Sequence, residues 1–219
     1  MNKLRMRFSK TGRAVYISHL DLMHTLQRAF SRAGFSLKYS EGYNPHPQIS
    51  IALPLSVGMS SICEILDFRL NEDIDPADFP EKINSCLPEG ICVLEVYEAE
   101  AKSSLIKWLE IEGEFEYDDR DPERILPGLE EFFRQESIPV MKKSKRGMTE
   151  ADIRPMIRSI SFSHKEDDIA VKALISATEP TLNPELLSGA LTQLQPELAP
   201  DFASYRRIET YTADGQIFR

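Results

Sequence analysis

Two of the four histidines occupy positions where an imidazole could do chemistry. His19 is predicted at the start of a helix, on the same stripe as Met23 and Leu26. The positive end of a helix disfavours the imidazolium form, and a neutral imidazole beside a hydroxyl or a phosphate can act as a general base. The position also suits a half-buried histidine that has one ring nitrogen hydrogen-bonded. His19 is therefore a candidate catalytic residue with a structural alternative.

The second candidate, His46, lies in the stretch YSEGYNPHPQ, residues 39–48. Gly42 permits a positive φ, and the two prolines fix φ and remove backbone N–H groups, so no helix or strand interior suits this stretch. We expect a stiff loop that preorganises three side chains: Tyr43 to stack on a base, Asn44 to hydrogen-bond an edge, and His46 to bind or catalyse. The alternative is that Asn44-Pro45 only makes the turn and Tyr43 packs on the core.

Charge is unevenly distributed along the chain. The net charge is −9, which argues against indiscriminate binding of nucleic acids, yet residues 1–48 contain eight basic and two acidic residues. This asymmetry predicts either a polyanion-binding face or an ordinary solvated surface. Asp152 and Arg154, beside Pro155, also suit an ion pair that fixes a strand edge. The candidate phosphate-binding residues are Arg28 and Arg32, which follow His24 at i, i+4 spacing, together with Lys142, Lys143, Lys145, Arg146 and Arg154.

Several classes of activity have no support. The chain has no Gly-rich phosphate loop, no GxSxG, no HExxH and no dinucleotide fingerprint. The spacing of Cys63, Cys86 and Cys92 matches no disulfide framework, zinc site or iron–sulfur cluster, and we expect small buried hydrophobes. No metal site and no cofactor are predicted.

Length and hydropathy indicate a globular protein. The 219 residues, 42% of them apolar, suit one large domain or two small ones with real cores. No run of about 18 apolar residues occurs, and no apolar segment follows the charged N-terminus, so neither a transmembrane helix nor a signal peptide is predicted. We expect a cytoplasmic protein that does not bind membranes.

The elements that would position these residues follow from periodicity. Alternation from Leu4 to Phe8 predicts a strand, followed by a turn and renewed extended structure over 14–17. A Ser18 N-cap, an apolar stripe and Gly34 predict a helix over about 19–33. Strands are expected over 49–57, 63–70 and 91–97, with a helix that begins near Pro76. The order β-α-β-β-α-β is that of the ferredoxin-like, split βαβ arrangement.

The second half of the chain repeats this order, although no residue-level repeat is visible. The predicted fold is therefore α+β, with two tandem ferredoxin-like (βαββαβ) units over 1–100 and 104–219, divided at the polar stretch 98–104. The region around Gly147 is expected to be a basic loop. The predicted elements are strands over 108–117, within 149–164, over 168–177 and over 206–212, and helices over 122–135 and from Asn183 or Pro184 to Leu194.

The segment RFSKTGRAVYISHLDLMHTLQRAFSRAGFSLKYSEGYNPHPQISIALPL resembles the opening of the radical-SAM-linked, DUF-type bacterial proteins of unknown function, and ADIRPMIRSISF resembles their second-half block. The resemblance implies a partner, since such proteins are encoded beside, or fused behind, a radical SAM protein, often near genes for ribonuclease G and ribosomal proteins. No activity is established for that family, so no catalytic residues are carried over. The residues in the matching motifs are His19, Asp21, Gly42, Asn44, Pro45, His46, Pro47, Asp152, Arg154 and Pro155.

Three hypotheses follow. The first is a non-catalytic accessory or binding module for a separately encoded radical SAM protein, with tRNA or rRNA as substrate or scaffold in modification or processing. The chain lacks the cysteine cluster that radical SAM chemistry requires. The second is a metal-independent endoribonuclease in which His19 or His46 assists attack of a 2′-hydroxyl, because the predicted architecture is similar to that of CRISPR repeat-processing endoribonucleases. The third is a purely structural protein–protein adaptor.

Overall fold

The computed structural model describes residues 3–144 and 147–219 and divides into two compact units. The first unit runs to Leu105 and includes Arg219, and the second comprises Ile106–Phe218. Each unit combines helices with an antiparallel sheet, so the predicted α+β class is confirmed. The helices are α1 (His19–Arg32), α2 (Phe79–Asn84), α3 (Pro122–Arg134) and α4 (Glu185–Leu194), and the strands are β1 (Leu4–Lys10), β2 (Ile49–Ile51), β3 (Ser60–Phe68), β4 (Ile91–Glu98), β5 (Trp108–Glu116), β6 (Pro139–Ser144), β7 (Gly147–Asp152), β8 (Ile157–Lys165), β9 (Asp168–Ser176) and β10 (Phe202–Tyr211).

The sheet of the first unit has the strand order β4-β1-β3-β2, and every neighbouring pair is antiparallel. Its register defines two ends. Leu4 and Ile49 both lie opposite Phe68, so β1 and β2 start at the same end. Lys10 lies opposite Ser61 and Ile91 at the other end, where α1 begins after β1. The segment that leads into β2 and the start of α1 therefore belong to opposite ends of the sheet.

One face of this sheet packs against the two helices. Met6 and Phe8 of β1 and Leu26 and Phe30 of α1 are fully buried, which fits the alternation of the strand and the stripe of the helix. Phe30 contacts Phe68 edge-on with ring centroids 5.0 Å apart. Burial of this apolar surface fixes α1 on the sheet.

A buried lysine sets the approach to α1. Lys10 is 1% exposed, and its ammonium donates hydrogen bonds to the carbonyl oxygens of Val15 at 3.3 Å and Ile17 at 3.0 Å. The extended structure predicted over 14–17 is wrong, because Gly12–Tyr16 forms a 3-10 helix instead. Ser18 then caps α1, as predicted, and its hydroxyl oxygen accepts the backbone N–H of Asp21 at 3.2 Å.

Replacing Ser18 by alanine is expected to lower the free energy of unfolding by about 1 kcal/mol, because the N–H of Asp21 loses its partner. Urea denaturation measures the change. The control is Ser31→Ala, since Ser31 lies inside α1 and its hydroxyl only donates back to the carbonyl of Gln27. An equal loss in both variants would contradict the capping role.

The sheet of the second unit has the order β10-β5-β9-β8, again antiparallel throughout. A two-stranded sheet, β6 with β7, is inserted between α3 and β8. Strand β6 was not predicted, and Gly147, expected in a loop, starts β7. In the described residues, no helix is long and apolar enough to cross a membrane.

Candidate recognition loop

Residues 39–48 form a narrow loop closed by its own backbone. The N–H of Ser40 donates to the carbonyl of His46 at 2.8 Å, and the N–H of Gln48 donates to the carbonyl of Lys38 at 2.7 Å. Gly42 has φ +125°, a value that side-chain-bearing residues rarely adopt. We call residues 39–48 the recognition loop. The prolines and the glycine predicted a stiff loop, and the backbone hydrogen bonds close this loop.

The loop is fastened to the sheet at its base. The N–H of Lys38 donates to the carbonyl of Arg69 at 2.8 Å, and the N–H of Arg69 donates to the carbonyl of Gln48 at 3.1 Å. The side-chain amide of Gln48 also donates to the carbonyl of Tyr39 at 3.1 Å. These bonds continue the pairing of β2 with β3 beyond Ile49, so the tip is held on a rigid support.

The tip displays the side chains that the sequence singled out. Tyr43 is fully exposed, with a relative accessibility of 107%, and Asn44 and His46 are exposed as well. The alternative in which Tyr43 packs on the core is therefore wrong. An aromatic ring held in solvent by a stiff backbone can stack on a planar ligand with little loss of entropy.

His46 is oriented by its neighbours. Its Nδ1 lies 3.0 Å from the hydroxyl oxygen of Ser40 and 3.4 Å from the carbonyl oxygen of Asn44. The backbone N–H of His46 donates to the same Ser40 hydroxyl at 3.1 Å. Within the described residues, Nε2 has no hydrogen bond, so this nitrogen remains available to a ligand.

A shallow cleft of about 400 Å³ adjoins the loop. Two charged residues on its wall, Lys3 and Asp67, form an ion pair of 2.5 Å, and the guanidinium of buried Arg5 binds Asp67 through Nε at 2.6 Å and Nη2 at 3.2 Å. Burial raises the pKa of Asp67, but the hydrogen bonds from Arg5 and Lys3 outweigh it, so the net pKa of this carboxyl is lowered. Sequence reasoning missed this cleft; the only signal was the alternation of charged with apolar residues in β1. The lining residues are Lys3, His46, Pro47, Gln48, Ile49, Ser50, Asp67, Phe68 and Arg69.

His19 lies at the other end of the first unit. It is half-buried at the first position of α1, whereas His46 precedes β2. The seven residues of β1 span about 20 Å between these two ends of the sheet. The two histidines therefore do not form a catalytic pair in which one acts as base and the other as acid.

The two arginines predicted on α1 have different surroundings. Arg28 is exposed on the helix and is available to an anion. Arg32 is also exposed, but its Nη2 donates to the carbonyl oxygen of Cys86. Arg28 is thus the more available of the two for binding a phosphate. Arg32 links α1 to Cys86, which follows α2.

The remaining basic candidates belong to the second unit. Lys142 lies on β6 opposite Thr149, and the backbone of Lys143 lies opposite Met148. Lys145 and Arg146 fall outside the described residues. The guanidinium of Arg154 donates to the carbonyls of Gln135 at 3.1 Å and Ile157 at 2.8 Å.

The predicted side-chain ion pair of Asp152 with Arg154 takes another form. The carboxylate of Asp152 accepts backbone N–H groups, from Ile138 at 2.8 Å and from Arg154 at 3.0 Å. These bonds, chiefly that of Ile138, lower the pKa of Asp152. Asp152 therefore closes the base of the β6–β7 hairpin, and Arg154 holds the turn before β8.

The cysteines differ in exposure. Cys63 is 2% exposed, as predicted for a small buried hydrophobe, but Cys92 is exposed and Cys86 is half-buried. Among residues 3–144 and 147–219, no three His, Cys, Asp or Glu side chains come together in a way that could hold a metal ion.

A family model described as an uncharacterized protein conserved in bacteria, DUF2344, matches residues 3–184. No curated protein matches the chain. Among solved structures, a chain of a Cbf5–Nop10–Gar1 complex is similar over 94% of this chain and 48% of its own length, with 10% identity and a TM-score of 0.51. An unknown protein from Galdieria sulphuraria matches 94% of this chain and 98% of its own length, with 9% identity and a TM-score of 0.28. The chain thus spans about half of the chain from the complex, and at this identity the likeness concerns the fold alone.

Proposed function

The chain belongs to the bacterial family DUF2344, and we propose that it is a non-catalytic accessory module that works with a separately encoded radical SAM protein in the cytoplasm. Its substrate or scaffold in this proposal is tRNA or rRNA, which it holds for modification or processing. The radical SAM partner comes from the resemblance of the segments around 7–55 and 151–162 to radical-SAM-linked proteins.

The observation that carries the proposal is the recognition loop. This loop holds Tyr43 fully in solvent, with Asn44 and His46 exposed beside it, on a backbone closed by its own hydrogen bonds. Single-stranded RNA is recognised by stacking of unpaired bases on aromatic rings and by hydrogen bonds to base edges. The loop supplies a ring, an amide and an imidazole on a backbone that is already ordered.

Charge supports a polyanionic ligand at this unit. Six of the eight basic residues within 1–48 remain to attract phosphates, since Arg5 and Lys10 are buried, even though the whole chain carries a net charge of −9. Lys3 of the cleft and Arg28 on α1 are cations at the surface of the same unit. Specific stacking at the loop and non-specific attraction to these cations would act together.

We further propose that each unit is a ferredoxin-like domain. Each has the element order β-α-β-β-α-β once the β6–β7 hairpin is set aside. The sheets have the orders β4-β1-β3-β2 and β10-β5-β9-β8, which place the first and third strands of each unit in the centre.

A second candidate function, the protein–protein adaptor, is favoured by an apolar surface at the end opposite to the loop. Tyr16 and Leu20 flank the Ser18 cap and are 73% and 67% exposed, and Val57 is 55% exposed. The N–H of Gly58, next to Val57, donates to the carbonyl of Val15 at 2.9 Å, which brings these segments together. Contiguous exposed apolar side chains of this size are typical of protein docking sites.

The experiment that tests the proposal mixes the purified chain with a defined RNA. Crosslinking with ultraviolet light, followed by mass spectrometry, is expected to attach RNA to Tyr43 or its loop neighbours, and the RNA is expected to stay uncut without metal. Metal-free cleavage that His19→Ala or His46→Ala abolishes would instead establish the endoribonuclease. Absence of any crosslinked RNA would favour the adaptor.

Arg28→Ala is expected to weaken RNA binding by a similar factor for all RNA sequences and to reduce the slope of log affinity against log salt by about 1, because one phosphate contact is lost. Fluorescence anisotropy over a salt series measures this slope. The matched control is Arg124→Ala, since Arg124 is 87% exposed but lies on α3 in the second unit. A slope that both variants leave unchanged would remove α1 from the binding face.

A further inference from the structure

Strand β8 forms the outer edge of the sheet in the second unit. It pairs with β9 on one side, and in the part of the chain that the structure describes no strand pairs with its other side. The nine-residue strand contains no proline, and its charges lie near its two ends. Long edges without such protection are templates for another strand, and proteins usually block them.

The edge is open from Ser159 onward. Near its start, the guanidinium of Arg154 already occupies the carbonyl of Ile157. The side chains of Ser159, Ser161 and Ser163 are exposed, whereas Ile160 and Phe162 are half-buried on the opposite face. Small polar and large apolar residues thus alternate along the free edge, with one kind on each face.

On its apolar face the edge borders a groove. The groove has a volume of about 320 Å³ and lies between α3 and β8. Its apolar wall includes Phe133 and Phe162, whose rings are 5.5 Å apart, and its rim carries Glu130 and Arg134. A strand added to β8 would place its own apolar side chains in this groove.

We propose that the occupant is a second copy of this chain, paired through β8 about a two-fold axis at Ser161. Antiparallel pairing at this register sets Ile160 opposite Phe162 of the other copy on the apolar face. On the other face it sets Ser159 opposite Ser163 of the other copy. Each contact occurs twice, as an isologous interface requires, and it joins apolar with apolar side chains and serine with serine.

Charge on the rim supports the same arrangement. Glu130 and Arg134 of one α3 are 3.9 Å apart, and their side chains are 47% and 76% exposed, so both charges lie at the surface. The two-fold axis brings this pair toward the same pair of the other copy with the order reversed. Opposite charges therefore become available across the interface.

The test measures the mass of the full chain by sedimentation over a range of protein concentrations. The wild type is expected to form a dimer of its 25.0 kDa chain. Ser161→Lys places two like charges directly opposite one another and should raise the dimer dissociation constant by about fivefold or more. The matched double variant Ser159→Lys with Ser163→Glu creates two opposite-charge pairs in this register and should retain or strengthen the dimer.

Cysteine crosslinking checks the register independently. Ser161→Cys should give a covalent dimer on mild oxidation, because residues directly opposite in an antiparallel pair have Cα atoms about 4.5–5.5 Å apart, within the range of a disulfide. Ser163→Cys should give no more crosslinking than the wild type, whose native cysteines set the background. A monomeric wild type, a dimer that Ser161→Lys leaves unchanged, or equal crosslinking at 161 and 163 would each overturn the proposal.

Discussion

Tyr43→Ala is expected to weaken binding of RNA by about 5- to 150-fold while leaving the stability of the protein unchanged, because stacking of one base on an aromatic ring contributes roughly 1–3 kcal/mol. The ring is fully exposed and packs on nothing in its own unit, so its removal creates no cavity. Fluorescence anisotropy with tRNA from the native cell measures the affinity, and thermal denaturation measures the stability.

The matched control is Tyr16→Ala. Tyr16 is also largely exposed and belongs to the first unit, but it lies at the opposite end of the sheet. Its replacement should not change RNA affinity. Equal effects of the two substitutions would mean that the loop has no special role in binding.

Substitutions beside Tyr43 separate recognition from backbone rigidity. Asn44→Ala and His46→Ala should reduce RNA binding with little change in stability, because Gly42 and the two prolines still set the backbone. Pro45→Ala should have a smaller effect, since it removes only part of the preorganisation.

Asp67→Asn is expected to lower the free energy of unfolding by about 3–5 kcal/mol, because it leaves the buried guanidinium of Arg5 without its carboxylate. Arg5 is 0% exposed and Asp67 is 5% exposed, so water screens this pair little. Chemical denaturation at neutral pH measures the loss. Lys3→Met is the control: Lys3 is 40% exposed, and its removal should destabilise by less than about 1 kcal/mol.

The same pair predicts a dependence of stability on pH. The pKa of Asp67 is lower in the folded chain than in the unfolded one, so the folded state keeps the carboxylate charged more strongly. Its contribution to stability is present above the unfolded pKa of about 3.9 and is lost as pH falls toward the folded pKa. The acid limb of the stability curve should therefore be shallower in Asp67→Asn. Identical acid limbs would contradict this account of the pair.

Local sequence signals predicted the elements whose start and end signals lie within the segment itself. Helix α1 was expected over 19–33 and spans His19–Arg32, because its cap, its stripe and its terminal glycine all lie within the segment. Helix α3 begins at Pro122 behind the cap of Asp121 for the same reason. The recognition loop was predicted from Gly42 and the prolines alone.

Where the predicted secondary structure was wrong, contacts that form only in the folded chain determined the observed elements. Alternation predicted a strand over 49–57, but β2 ends at Ile51. The 3-10 helix over Gly12–Tyr16 has the residue types of a strand, yet buried Lys10 binds two of the carbonyls that follow it. Strand β6 was missed because its backbone bonds partly to the side-chain amide of Gln193, which donates to the carbonyl of Met141 at 3.1 Å and accepts its N–H at 2.8 Å.

The candidate site likewise has parts that the sequence predicted and parts that it did not. Side chains that stand out from a Pro-rich and Gly-rich loop were identified from the sequence, since exposure follows from the backbone. The cleft beside the loop was not, because it depends on the pairing of β1 with β3, which sets Arg5 opposite Asp67. The opposite placement of His19 and His46 also needed the sheet register.

The most direct test of the proposed function is quantitative affinity purification of the tagged chain from its native cell. The wild type is compared with a variant that combines Tyr43→Ala, Asn44→Ala and His46→Ala. We predict that a radical SAM protein and a defined tRNA or rRNA are enriched with the wild type, and that the loop variant retains the protein but loses the RNA. Equal recovery of RNA with both chains, or enrichment of neither a radical SAM protein nor RNA over the tag alone, would contradict the account.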